Sequence, residues 1–306
     1  MSCETRIVIV AAGLLSFAVP GPGATAAQDH ALVLQNGRVM DPESGLDATR
    51  NVAISNGKIA AISASKLTGR TVLDVAGLVV TPGFIDLHAH GQDDEANRFQ
   101  ARDGVTTALD LEIGRFPVAE YYEARAGQAV LNYGVAVSHH DIRRSIWPVE
   151  DSGESWAYEE ASTAEIEIML ERFQRGLAEG GIAAGLALEY TPGVGYDEVY
   201  RIFASMAARN APVVVHVRRA RGNRVAPHAN VNSIQEVVAN AAATGAALHI
   251  VHITPSGLGD TPLVLDMIAK ARAAGVDVST EVYPYTAGST SLKSAAFDEG
   301  WQERLG

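Results

Sequence analysis

Seven short apolar runs, each followed by a side chain able to bind a metal or move a proton, constrain this chain more than any other feature. The runs are Phe84–Leu87, Thr106–Leu111, Gly134–Val137, Ala183–Leu188, Val213–Val215, Leu248–Val251 and Val276–Val282. They are followed in turn by His88 and His90, Glu112, His139, Glu189, His216, His252 and Tyr283. Helix-like segments stand between them: Thr163–Glu179, Tyr196–Arg209, Ser233–Ala243 and Pro262–Ala274, the last closed by Gly275. Strands alternating with helices predict βα units around a parallel sheet. The C-terminal ends of such strands open on one shared mouth. A single His after a strand is usually a hydrogen-bonded loop residue. Seven strands all ending this way predict a site.

The chain before this region has another rhythm. Ala31–Leu34 leads to Asn36-Gly37, and Val52–Ile54 leads to Asn56-Gly57 before Ile59–Ile62. Asn-Gly between apolar runs is a hairpin signal, because both residues tolerate positive φ. Residues 28–81 are therefore expected to form a small antiparallel β-sandwich portion, and residues 82–306 the α/β region. Residues 1–27 read as a signal peptide: Arg6, an apolar stretch from Ile7 to Val19, then Ala24-Thr25-Ala26-Ala27, with cleavage near Ala26/Ala27. Pro20 and Gly21 end the apolar run short of a comfortable membrane span. This predicts a periplasmic or secreted protein with no membrane association beyond the signal segment.

Composition removes other classes. Among 306 residues, 24 are Lys or Arg and 36 Asp or Glu, a net charge of −12 without a basic patch, which argues against nucleic acid as a partner. The single cysteine, Cys3, permits neither an intrachain disulfide nor a cysteine zinc cluster. A metal would have to be held by imidazoles and carboxylates.

His88-Ala89-His90 meets that demand, since a spacing of two on an extended chain puts both rings on one face. His216 and His252 come from later strand ends across the mouth. Imidazole favours Zn²⁺ or a similar borderline cation, which polarises a carbonyl and lowers the pKa of water to about 7.

Gly83-Phe84-Ile85-Asp86-Leu87-His88-Ala89-His90, after a short β unit, resembles the metal-binding opening of the amidohydrolase superfamily. Asp277–Thr290, above all Tyr283-Pro284-Tyr285-Thr286-Ala287-Gly288-Ser289-Thr290, is similar to the D-aminoacylase or N-acyl-D-amino-acid deacylase branch, as are Gly104–Thr107, Glu189–Gly193 and Val215–Arg218. The resemblance runs from about Ala31 to Leu292. It implies an incomplete (β/α)8 TIM-like barrel of about seven strands and hydrolysis of a non-peptide amide with one or two divalent ions, zinc foremost. It also implies that His88, His90, His216 and His252 are ligands. Tyr283 and Ser289 would contact a substrate carboxylate, Tyr190 would lie at the substrate, and His139 with Arg143 would help position it.

Three departures qualify the resemblance. The family's cysteine ligand near the second strand is replaced by Leu111-Glu112-Ile113-Gly114, so Glu112 is the expected substitute, able to bridge two cations. The family's lysine two residues after the sixth-strand ligand is Thr254 here, which removes a cationic partner for the substrate. The eighth-strand aspartate, the family's general base, has no counterpart, so the chain reads as an N-terminal fragment with no catalytic acid/base of its own. The leading expectation is a metal-dependent deacylase of N-acyl-D-amino acids. The alternatives are a dipeptidase or cyclic-amide hydrolase, a non-catalytic metal-binding fragment, and a surface binding module.

Overall fold

A computed structural model describes residues 30–147, 155–218 and 229–302 except 284, 293, 295, 296 and 298. The expected signal peptide (1–27) lies outside the described residues, as do Pro284 and residues 303–306. The chain divides after Pro82 into two compact units.

The first unit is a five-stranded sheet of β1 (His30–Asp41), β2 (Leu46–Ser55), β3 (Lys58–Ser63), β4 (Gly69–Asp74) and β5 (Val79–Val80). The β1–β2 and β2–β3 pairs are antiparallel, as expected. β4 and β5 run parallel to β1, because the connection after β3 crosses to the far side of β1. The unit is therefore a mixed sheet. The two Asn-Gly pairs also part company. Asn56 and Gly57, with φ of 52° and 72°, form the expected two-residue hairpin turn. Asn36-Gly37 instead lies inside β1 at a break in register, with Asn36 at φ 64°. Asn51 Oδ1 accepts the Asn36 backbone N–H at 3.0 Å and Asp74 accepts its side-chain amide at 3.0 Å. The same dipeptide makes a bulge where a neighbouring strand supplies those partners.

The second unit alternates β6 (Phe84–Asp86), α1 (Asp94–Arg102), β7 (Val105–Arg115), α2 (Val118–Arg125), β8 (Asn132–Ser138), α3 (His139–Ile146), α4 (Thr163–Ala178) and β9 (Ala184–Ala187). It continues through α5 (Tyr196–Ala207), β10 (Val213–His216), α6 (Ala229–Thr244), β11 (Leu248–Ile250), α7 (Ile253–Gly257), α8 (Thr261–Ala273) and β12 (Val278–Thr280). The seven strands are all parallel, in the order β12-β11-β10-β9-β8-β7-β6, a partial TIM barrel whose edges among the described residues are β6 and β12. Ser162 and Glu165 close α4 with a reciprocal capping box. Among the described residues no helix is long and apolar enough to cross a membrane.

Strand alternation sorts the side chains into two layers. Val135, Val137, Leu186, Val213, Val215, Leu248 and Ile250 face the helices, where Phe173, Ile202, Phe203 and Ile234 cover them. Leu111, Ala136, Ala183, Val214 and Val251 form a smaller cluster of their own on the opposite face of the sheet. One strand breaks the rule. Between Asp110 and Arg115 the register of β7 against β8 slips, so residues 111–114 bulge. Gly114 takes φ 70°, and a Cβ there would lie 2.3 Å from the Ala136 carbonyl oxygen, so only glycine fits. Buried Asp110 caps the bulge by accepting the Gly114 N–H at 3.2 Å. On β9, a Cβ at Gly185 would lie 2.6 and 2.7 Å from the carbonyl oxygens of Leu111 and Glu112, which shows how closely the bulge crosses the strand.

Candidate metal centre

The bulge re-aims Glu112, which alternation alone would have turned toward the helices, into the midst of four imidazoles. Its carboxylate is almost wholly buried and its two oxygens face different pairs. Oε2 lies 2.8 Å from both His88 Nε2 and His90 Nε2, and those two nitrogens are 2.9 Å apart. Oε1 is bonded to His216 Nδ1 and is 3.7 Å from His252 Nε2, with 3.1 Å between the two imidazole nitrogens. Two triangles of donors, each one oxygen and two nitrogens, thus share one carboxylate.

Three atoms that each offer a lone pair stay this close only around a proton or a cation. Burial disfavours a charged His88, but hydrogen bonds to Glu112 and Glu281 outweigh it and push its pKa up to about 10. Hydrogen bonds to Asp110 and Glu112 push His90 up to about 9. Burial opposes the charge on His216, yet Glu112 and Glu189 raise it to about 9. His252 is lowered, chiefly by burial. Glu112, although burial would raise it, is held well below the usual carboxylate range by His216 and its other histidine partners.

The same atoms fit a divalent ion. Ligand atoms around a tetrahedral zinc with bonds of about 2.0–2.1 Å lie about 3.3 Å apart; the resolved donor separations here run from 2.8 to 3.7 Å. Ligand atoms of His88, Glu112 and His252 also lie within 4.8 Å of one another, which links the two triangles. His252 Nδ1 is buried with no hydrogen-bond partner among the described residues. The His252 backbone is left-handed at φ 32°, where the chain turns from β11 into α7. Such strain costs about 1–3 kcal/mol and collects at functional sites.

Two carboxylates stand behind the rings: Glu189, one of the strand-end residues read from sequence, and Glu281, which was not singled out. Glu281 Oε1 lies 2.5 Å from His88 Nδ1, and Oε2 lies 3.3 Å from His249 Nε2. Burial would raise its pKa, but His249 and His88 hold it down to about 2. Glu189 Oε2 takes His216 Nε2 at 2.8 Å. A carboxylate on one ring nitrogen fixes the tautomer and aims the other nitrogen. Glu281 was missed because the seventh strand was read as running to Val282 and ending at Tyr283. The strand stops at Thr280, and Glu281 is the first residue beyond it on the Ser279 face. Glu281→Gln should weaken zinc binding about 10–100-fold, read by competition with a chromogenic chelator, with little loss of thermal stability. Unchanged zinc affinity would remove Glu281 from the site.

A cavity of about 870 Å³ opens over the triangles. His88, His90, Glu112, His252 and Glu281 line it, and so do Tyr190, Tyr283 and Ser289, three of the expected substrate contacts. The Tyr190 ring stands 4.8 Å from that of His216, and the Tyr283 ring 6.3 Å from that of His252. His139 and Arg143 need correction. Both are fully buried away from the cavity, spent on Glu198 of α5: His139 Nε2 at 2.6 Å and Arg143 Nη1 at 2.7 and 2.8 Å. Arg143 also donates to the carbonyls of Trp156 and Glu159. The pair knits α3 to α5 and to the 156–159 loop and is not placed to touch substrate.

The family model described as "Amidohydrolase family" matches residues 79–294. The chain is 28% identical over 298 residues to N-acyl-D-glutamate deacylase of Alcaligenes xylosoxydans xylosoxydans, covering 85% of this chain and 58% of that protein. It is 26% identical over 306 residues to D-aminoacylase of the same organism, covering 87% and 60%. A crystal structure of N-acyl-D-glutamate deacylase from Bordetella bronchiseptica, complexed with zinc and a phosphonate inhibitor, superposes with a TM-score of 0.69 at 22% identity, covering 84% of this chain and 59% of that one. The chain thus spans about three fifths of the length of these relatives.

Proposed function

The chain belongs to the amidohydrolase family, and from that premise we propose that it takes part in metal-dependent hydrolysis of a small non-peptide amide, an N-acyl-D-amino acid foremost, with zinc as the metal. The observation that carries this reading is the Glu112 carboxylate shared between His88/His90 and His216/His252. His88, His90 and Glu112 would hold one ion, and His216, His252 and Glu112 a second. A divalent cation there polarises a carbonyl and lowers the pKa of water to about 7.

The remaining work falls to the chain's own side chains. Glu281 and Glu189 keep Nε2 of His88 and Nδ1 of His216 turned toward Glu112. The phenols of Tyr190 and Tyr283 and the hydroxyl of Ser289 border the cavity as donors for a carbonyl or carboxylate. The buried position of Glu112 lowers the local dielectric, so each of these contacts counts for more than it would in water. The pattern of residues 1–27 supports export of the protein.

Zinc-loaded full-length protein assayed against N-acyl-D- and N-acyl-L-amino acids, dipeptides and cyclic amides tests the reading. It predicts release of free amino acid from N-acyl-D-amino acids, abolished by chelation and restored by zinc. Turnover of cyclic amides alone, or release that survives chelation, would sink it.

A further inference from the structure

We propose that Arg144 binds a carboxylate of the amide substrate, in a side recess that continues the main cavity beyond Tyr190; the proposal rests on the reading above and deepens it.

Among the described residues, no lysine or arginine side chain lines the main cavity. Its described lining instead includes the acidic residues Asp86, Glu112 and Glu281. Thr254, where the family resemblance places a lysine, brings no charge. A substrate carboxylate that meets the hydroxyl donors of Tyr190 and Ser289 would gain from a cationic side chain beside them.

A recess of about 200 Å³ supplies that partner. It shares Ile113, Tyr190, Thr290 and Ser291 with the main cavity, and Ile113 directly follows Glu112. Its own wall carries His140, Trp156 and Arg144. The Arg144 guanidinium lies 4.9 Å from the centre of the Trp156 ring, and Trp156 is itself buried. Stacking on an aromatic face holds the plane of a guanidinium while leaving its edge donors free. That edge matches both oxygens of a carboxylate at once. Arg144 forms no ion pair among the described residues, unlike Arg143, Arg175, Arg201 and Arg218, which all have carboxylate partners. His140 beside it is kept uncharged, by burial first and by His139 next, so that among the described lining residues Arg144 carries the recess's positive charge.

The test uses the zinc-loaded protein and two variants, Arg144→Gln and Arg144→Lys, with N-acetyl-D-leucine and its neutral analogue N-acetyl-D-leucinamide. For the carboxylate substrate, Arg144→Gln should raise KM about tenfold or more with kcat nearly unchanged. KM for the amide should not move, and Arg144→Lys should fall between. Equal effects on both substrates would mark a structural role and overturn the proposal, as would no effect on either. If the wild type hydrolyses neither compound, the deacylase reading is what fails, and calorimetry still decides this one. Titration with 4-methylpentanoate should then show binding weakened about tenfold in Arg144→Gln, with 4-methylpentanol unaffected. Equal carboxylate affinity in both proteins, or none in the wild type, would overturn it.

Discussion

Replacing Glu112 with Gln should lower zinc affinity at least about a hundredfold and leave the purified protein with little metal after gel filtration. Loss of a partner that merely orients a ligand typically costs about 10–100-fold, and Glu112 stands within reach of four imidazoles at once. The amide is nearly isosteric, so the bulge of β7 and its glycine at 114 should survive. What changes is the chemistry at the centre. One terminus of the amide becomes a donor aimed at an imidazole lone pair, and the negative charge that raises His88, His90 and His216 is gone. Glu112→Asp keeps the charge on a shorter arm and should retain measurable zinc. Atomic absorption on the three proteins, with circular dichroism to confirm folding, checks this. Undiminished zinc in a folded Glu112→Gln variant would rule out a ligand role.

The second large effect concerns stability. Glu198→Gln should destabilise the protein by about 3–5 kcal/mol, because it leaves Arg143 as a buried cation without its counter-ion. Arg143 and Glu198 are 0% and 1% exposed, so water cannot make good the loss. Burial opposes the charge on Glu198, but His139 and Arg143 hold its pKa below the usual value. Burial keeps His139 low, which leaves one formal charge of each sign in the pair. The double variant Arg143→Met/Glu198→Leu removes both charges and should recover most of the stability, since apolar replacements of a buried pair are often close to neutral. Urea unfolding of the single and double variants measures both numbers. A single variant within about 1 kcal/mol of wild type would mean that the cluster is not the tie between α3 and α5.

Parity along the strands explains what could be read from sequence and what could not. His216 follows Val214 by two and so shares the face of the inner cluster, which strand alternation gives directly. His139 also ends a strand, but it is an odd number of residues from Ala136 and two from Val137, which faces the helices. It therefore turns into the helix layer, and its neighbour His140 is the one that reaches the recess. The strand-end pattern named His139 without regard to parity, and the family resemblance added Arg143 and gave the pair its expected part in positioning substrate. Glu112 and His252 lie one residue past Leu111 and Val251, the inner residues of their strands. Backbone irregularities bring them to the centre: the slipped register before Gly114, and the left-handed turn at His252. Gly114 hinted at the first, while nothing in the sequence announces the second. The mixed first sheet was hidden for a related reason. Local turn signals describe consecutive strands, whereas the parallel partners of β1 arrive by crossover.

Anomalous diffraction at the zinc edge, from crystals grown with zinc, tests the shared carboxylate most directly. The account predicts anomalous density between Glu112 and a histidine pair, with Glu112 oxygen and imidazole nitrogen both at about 2.0–2.2 Å from the ion. A fully occupied zinc held by His88, His90, His216 or His252 with Glu112 outside bonding distance would contradict it.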